Sequence, residues 1–146
     1  MTFRLEIRLK DRLLDASGAG IKKKSKAYFG FDVDDVRVIR VLTIDAHFDA
    51  DQLSRIQNEI FTNPITEQSA YTPIQRDFDW LIWVGFRPGV RDTAGSTARE
   101  AIEDLLGVTF KSEEAVYTSK CYEIKGTLSR EQAHHMATEL LANAAI

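Results

Sequence analysis

The chain has 146 residues, 44% of them hydrophobic and 28% charged, with a formal net charge of −3. That is enough apolar material for one compact domain, or for two half-size units sharing a core, and it excludes wholesale disorder. The acidic balance argues against a general nucleic-acid binder, and no apolar run is long enough for a membrane span.

The first element is an alternating run, Phe3–Lys10, with apolar side chains at every second position, which predicts a half-buried strand. A polar turn leads to a helix from about Asp15, and Gly30 stands where a helix end needs a left-handed residue. A long strand is expected over Val36–Ile44. Asp49-Ala50-Asp51-Gln52 then reads as a capping box opening a second helix, with Leu53, Ile56 and Ile60 as its buried stripe. Asn63-Pro64 ends that helix, Ile65–Tyr71 reads as a short closing strand, and Thr72–Asp77 reads as a linker.

The same series then begins again. Trp80–Arg87 alternates like the first strand, and a helix is expected from Asp92, with Ala98, Ala101, Ile102, Leu105 and Leu106 at helical spacing. Gly107 marks its end, Ala115–Ile124 is the second long strand, and Ser129-Arg130-Glu131-Gln132 is a second capping box. Ala133, Met136 and Leu140 form the matching stripe.

A shift of 77 residues carries Phe3, Leu5, Ile7 and Leu9 onto Trp80, Ile82, Val84 and Phe86, Asp15 onto Asp92, Gly18 onto Gly95 and Gly30 onto Gly107. Beyond about residue 35 the shift becomes 80, through a three-residue insertion near Thr109–Glu114, and it carries Val36 onto Val116, Gln52 onto Gln132 and Asn63 onto Asn143. An internal repeat of this kind predicts two αβ units that cover each other. The boundaries are 1–71 and 78–146, with 72–77 between them. The second unit lacks a counterpart of the closing strand, so the expectation is a chain that forms part of a longer protein, or a strand supplied by another segment. Leu81 and Trp83 make the Trp80 strand apolar on both sides, which predicts a covered position near the centre, between the copies.

Residues with reactive potential are few. His134 and His135 are adjacent on a helix and point about a hundred degrees apart, which is a poor arrangement for a shared metal. His47 reads as a turn residue. The lone Cys121 sits within a strand as a buried, inert thiol, and a single thiol fits a reducing, cytoplasmic setting. Gly18-Ala19-Gly20 is too short for a dinucleotide fingerprint, and Asp32, Asp34 and Asp35 lack the glycine and closing glutamate of a cation loop. Basic side chains offer the candidate docking surface: Lys22, Lys23 and Lys26 on the first helix, Arg37 on the long strand, and Arg87 and Arg91 in the turn before the third helix. The lysine run is absent from the second copy, where Arg99, Glu100 and Glu103 take those places. Arg37, Arg40 and Lys120 sit on the long strands, where ion pairs to a neighbour are the plain expectation.

Several of these features together resemble the PurS family, a short non-catalytic subunit whose length matches the repeat. Its opening strand ends in a Lys-Pro-Gly-Val-x-Asp turn, similar to Leu9–Asp15 and closer to Phe86-Arg87-Pro88-Gly89-Val90-Arg91-Asp92. A glycine follows three residues later, as Gly18 and Gly95, and the helix closes on Phe29-Gly30 or Leu106-Gly107. Val33-Asp34-Asp35-Val36-Arg37 resembles the family's Val-x-x-Val-Arg strand. Ile60–Glu67 and Leu140-Leu141-Ala142-Asn143 resemble its Leu-Leu-Ala-Asn-Pro ending. The first copy lacks the Pro-Gly of the turn, and Ala144 replaces the proline in the second.

The resemblance implies an α+β fold: duplicated βαβ-α-β units forming a pseudo-symmetric fused dimer, with antiparallel sheets and helices packed on one face. It implies a coupling role in phosphoribosylformylglycinamidine synthase, a ligase that uses ATP and glutamine in purine biosynthesis. The expected partners are the synthetase and glutaminase parts, with no nucleic acid and no membrane. ATP and magnesium would serve the full enzyme, with no cofactor, metal or catalytic residue in this segment. The competing reading is a small-molecule regulatory module with an effector held between the copies, where the equivalent Gly18 and Gly95 would permit close ligand approach. A single-stranded nucleic-acid binder would need Trp80 and Trp83 exposed on a basic sheet face.

Overall fold

The computed structural model describes residues 1–73, 77–85 and 92–141. The first half runs β1 (Thr2–Leu9), α1 (Ala16–Phe29), β2 (Asp35–Asp45), α2 (Ala50–Arg55) and β3 (Glu67–Ala70). The second half repeats that order with β4 (Trp80–Gly85), α3 (Thr93–Leu106), β5 (Ala115–Lys125) and α4 (Arg130–Met136). Both α2 and α4 continue into a π-helical turn, Ile56–Phe61 and Ala137–Leu141, at equivalent places in the repeat.

Local chemistry sets these boundaries. Asp15 and Asp92 cap the N-termini of α1 and α3. Gly30 and Gly107 close those helices at φ of 71° and 67°, a left-handed conformation that side chains with a Cβ adopt at a cost. The two capping boxes are present as expected, from Asp49 with Gln52 and from Ser129 with Gln132. The closing strand is shorter than the expected Ile65–Tyr71, because pairing with β1 reaches only from Glu67 to Ala70.

The strands form one antiparallel sheet in the order β3-β1-β2-β5-β4, which gives the expected α+β fold. The centre belongs to β2 and β5, which pair over all 11 residues of each strand. Val36 meets Ile124, Arg40 meets Lys120, and Ile44 meets Val116. Arg40 and Lys120 are also counterparts under the shift of 80, so a pseudo-twofold axis passes between them. The Trp80 strand therefore does not lie between the copies. It is the edge strand β4, and Leu81 and Trp83 remain 49% and 56% exposed. The long strands take the centre because they can exchange far more backbone hydrogen bonds than a six-residue strand.

The helices cover one sheet face, and both main cores beneath them draw on both halves. One joins Leu5, Ile7, Leu42, Ile44 and Ile56 to Ala98, Ile102, Phe110 and Val116. The other joins Val33 and Val36 to Ile124 and Met136, with Ile21 and Phe29 packed alongside. Full burial of a side chain such as Ile56, Ile102 or Met136 stabilises by about 1.5–3 kcal/mol. Leu53 and Ile60 flank Ile56 half-buried, whereas Ala133, Met136 and Leu140 are buried as expected.

Candidate functional site

The equivalent glycines are answered by backbone. A Cβ on Gly18 would stand 1.8 Å from the Val36 carbonyl oxygen, and one on Gly95 would stand 2.5 Å from that of Val116. Each glycine lets a helix N-terminus sit directly on a long strand. Asp15 then accepts from the Gly18 and Val38 N–H groups at 2.9 and 2.8 Å. Asp92 accepts from those of Gly95 and Thr118 at 2.8 and 2.6 Å, and from the Thr118 hydroxyl at 2.7 Å. The space that an effector would need next to these glycines is filled by strand.

The basic candidates divide between surfaces. Lys22, Lys23 and Lys26 line an open cleft of about 380 Å³ with Ala19, Phe31 and Val33. Lys26 Nζ pairs with Asp32 at 2.9 Å, and Lys22 Nζ donates to the Asp34 carbonyl at 3.1 Å. Arg37 projects from the opposite sheet face, where its guanidinium donates to the Leu13 and Asp11 carbonyls at 2.8 and 3.2 Å and holds the β1–α1 turn. Arg87 and Arg91 lie outside the described residues.

His134 and His135 are exposed, and the His135 ring packs edge-on against Phe29 with centroids 4.6 Å apart. His47 is exposed in the turn after β2. Among the described residues, no group of three or more His, Cys, Asp and Glu is placed to hold a metal. No described helix is long and apolar enough to cross a membrane.

The face without helices carries the interactions that sequence reasoning missed. Ile39, Val41 and Cys121 form a small buried cluster there. Two arginines of β1 reach across β2 above it. Arg8 forms a buried ion pair with Glu123 on β5. Arg4 donates to Cys121 Sγ at 3.2 Å, and its guanidinium lies 4.1 Å from the Trp83 ring centroid on β4. Burial is the main influence on the Cys121 thiol and pushes its pKa up. Beside this layer Leu81, Trp83 and Tyr117 stay exposed and form an apolar flank at the β4 side of the sheet. Arg4, Glu6 and Arg8 of β1 correspond to Leu81, Trp83 and Gly85 of β4, so on this face β1 is charged where its counterpart is apolar. Alternation alone could not locate this flank, because an apolar odd face looks the same whether another layer or only an arginine covers it.

A single antiparallel sheet with helices on one face, folded about an internal pseudo-twofold, defines an αβ module whose prominent features are pairing edges and faces. Residues 2–74, half of the chain, match the family model PurS, described as phosphoribosylformylglycinamidine (FGAM) synthase. The chain belongs to the PurS family. No curated protein and no solved structure matches it.

Proposed function

We propose that this chain is a non-catalytic assembly and coupling domain of phosphoribosylformylglycinamidine synthase in de novo purine biosynthesis. In this reading it joins the synthetase and glutaminase parts in the cytoplasm and supports ammonia transfer between them. Residues 78–146 are a second PurS-like unit fused through 72–77 to the first, 1–71. ATP and magnesium act on the synthetase part. The observation that carries the reading is the family match over residues 2–74. The matching order of elements and caps in the second half supports the fused pair. The effector-binding alternative loses its main support, because strand carbonyls occupy the space beside Gly18 and Gly95.

The test is an assay of amidine formation by the synthetase and glutaminase parts, with and without this chain. Ammonium chloride should support turnover in both cases, and glutamine only when the chain is present. If the chain changes neither activity, the coupling role fails.

A further inference from the structure

The repeat gives α1 and α3 one scaffold and opposite charge. Both helices have 14 residues, both are capped by an aspartate, and both end on a left-handed glycine. Each lies on the long strand of its own half, through Gly18 on Val36 and Gly95 on Val116. Yet α1 carries Lys22, Lys23, Lys24 and Lys26 and no acidic residue. In α3, Arg99 is outnumbered by Glu100, Glu103 and Asp104. The shift of 77 carries Lys23 onto Glu100, Lys26 onto Glu103 and Ala27 onto Asp104.

These charges stand largely on the side turned away from the sheet. Gly18 and Ser25 mark the buried side of α1, and Gly95, Ala98 and Ile102 mark that of α3. At about 100° per residue, Lys23 and Ala27 lie opposite the buried side of α1, and Glu100 and Asp104 lie opposite that of α3. All four are exposed. Ala16, Gly20 and Ala27 surround Lys23 with little side-chain bulk, which lets another helix approach closely. Lys26 Nζ is held by Asp32 and Lys22 Nζ by the Asp34 carbonyl, so one rim of the lysine face is fixed by the loop after α1.

Every copy of the chain therefore carries both a basic helix and an acidic helix of the same length and phase. The pseudo-twofold between Arg40 and Lys120 exchanges α1 with α3. A second twofold, parallel to the sheet and at right angles to the line joining these helices, brings α1 of each copy onto α3 of the other. Both contacts form at once, so the pair is closed. We propose that the helix layer is an interface between two copies of this chain, with the α1 lysines of one copy facing Glu100 and Asp104 of the other. Exposed charges set orientation and encounter rate more than affinity, so this dimer is weak and sensitive to salt. The inference requires only the helix layer and stands apart from the coupling role.

The test is sedimentation of the whole chain over a range of salt. At about 0.02 M salt, where charges act over roughly 20 Å, a dimer should form, and its Kd should rise about tenfold or more by about 0.5 M. Lys23→Glu with Lys24→Glu should weaken it by roughly tenfold or more, and so should Glu100→Lys with Asp104→Lys. Circular dichroism checks that both variants keep the fold. Mixed together, the two variants should pair again, because the acidic layer of one then meets the basic layer of the other. A chain that stays monomeric at millimolar concentration and low salt overturns the proposal. So does a dimer that ignores salt and both sets of substitutions, or a mixture of the variants that fails to pair.

Discussion

Asp15 and Asp92 perform the same task 77 residues apart: each carboxylate caps its own helix and ties it to the long strand of its half through a second backbone N–H. The Asp-x-x-Gly spacing is therefore an architectural requirement of each copy. Asp15→Ala should cost about 2–3 kcal/mol, since it leaves two N–H groups without their acceptor. Urea unfolding of this variant and of Asp92→Ala would show similar losses if the two joints are equivalent.

Two glycines of α1 should respond in opposite directions. Gly18→Ala brings a Cβ into the Val36 carbonyl, and only backbone movement can relieve that clash. Gly20 is exposed within the same helix, with nothing within 4 Å of a Cβ built on it. Gly20→Ala should therefore stabilise by about 0.5–1 kcal/mol, while Gly18→Ala destabilises by more than that. Thermal unfolding of the pair would decide it, and equal behaviour would contradict the close approach of α1 to β2.

The buried pair of Arg8 and Glu123 crosses from one half to the other. Glu123→Gln takes the carboxylate away from a buried guanidinium and should cost about 3–5 kcal/mol. Replacing both, as Arg8→Met with Glu123→Leu, should recover much of the loss. A double-mutant cycle in urea measures this directly, and additive losses would mean that the two side chains do not interact.

Stability should fall on the alkaline side. Tyr71 donates to the Leu53 carbonyl at 2.7 Å, and burial pushes its pKa from 10.0 to about 12. Burial also raises that of Tyr122. Above pH 10.0 the unfolded chain releases the Tyr71 proton and the folded chain retains it. The unfolded state then binds fewer protons, so stability is full below that pH and drains away as pH rises towards about 12. Tyr71→Phe should flatten this decline in urea unfolding series at rising pH; an unchanged decline would remove Tyr71 as its source.

Cys121 should resist modification in the folded protein, because burial and a raised pKa both suppress the thiolate. Its reaction with a disulfide reagent should run roughly a hundredfold faster in urea than in buffer. Comparable rates would mean that the sheet opens readily around β5.

What was legible in the sequence is what local chemistry decides. Caps at Asp15, Asp49, Asp92 and Ser129 and the left-handed Gly30 and Gly107 depend on neighbours within a few residues, so their spacing sufficed. The position of β4 depends on which strands pair, and a run apolar on both sides does not distinguish a central strand from an edge. The pairing of Arg8 with Glu123, separated by 115 residues, has no periodic trace at all. The lysines of α1 are legible as a cluster because they are neighbours in sequence, whereas a sequence does not say which sheet face Arg37 occupies.

The contrast between β1 and β4 gives the molecule a polarity. An assembly of two identical subunits would look the same from either end, and anything bound to one end would meet an equal site at the other. Here the charged Arg4, Glu6 and Arg8 stand at one flank and Leu81, Trp83 and Gly85 at the other, with Arg4 bridging to Trp83 between them. The two flanks therefore differ in chemistry although the backbone around them repeats.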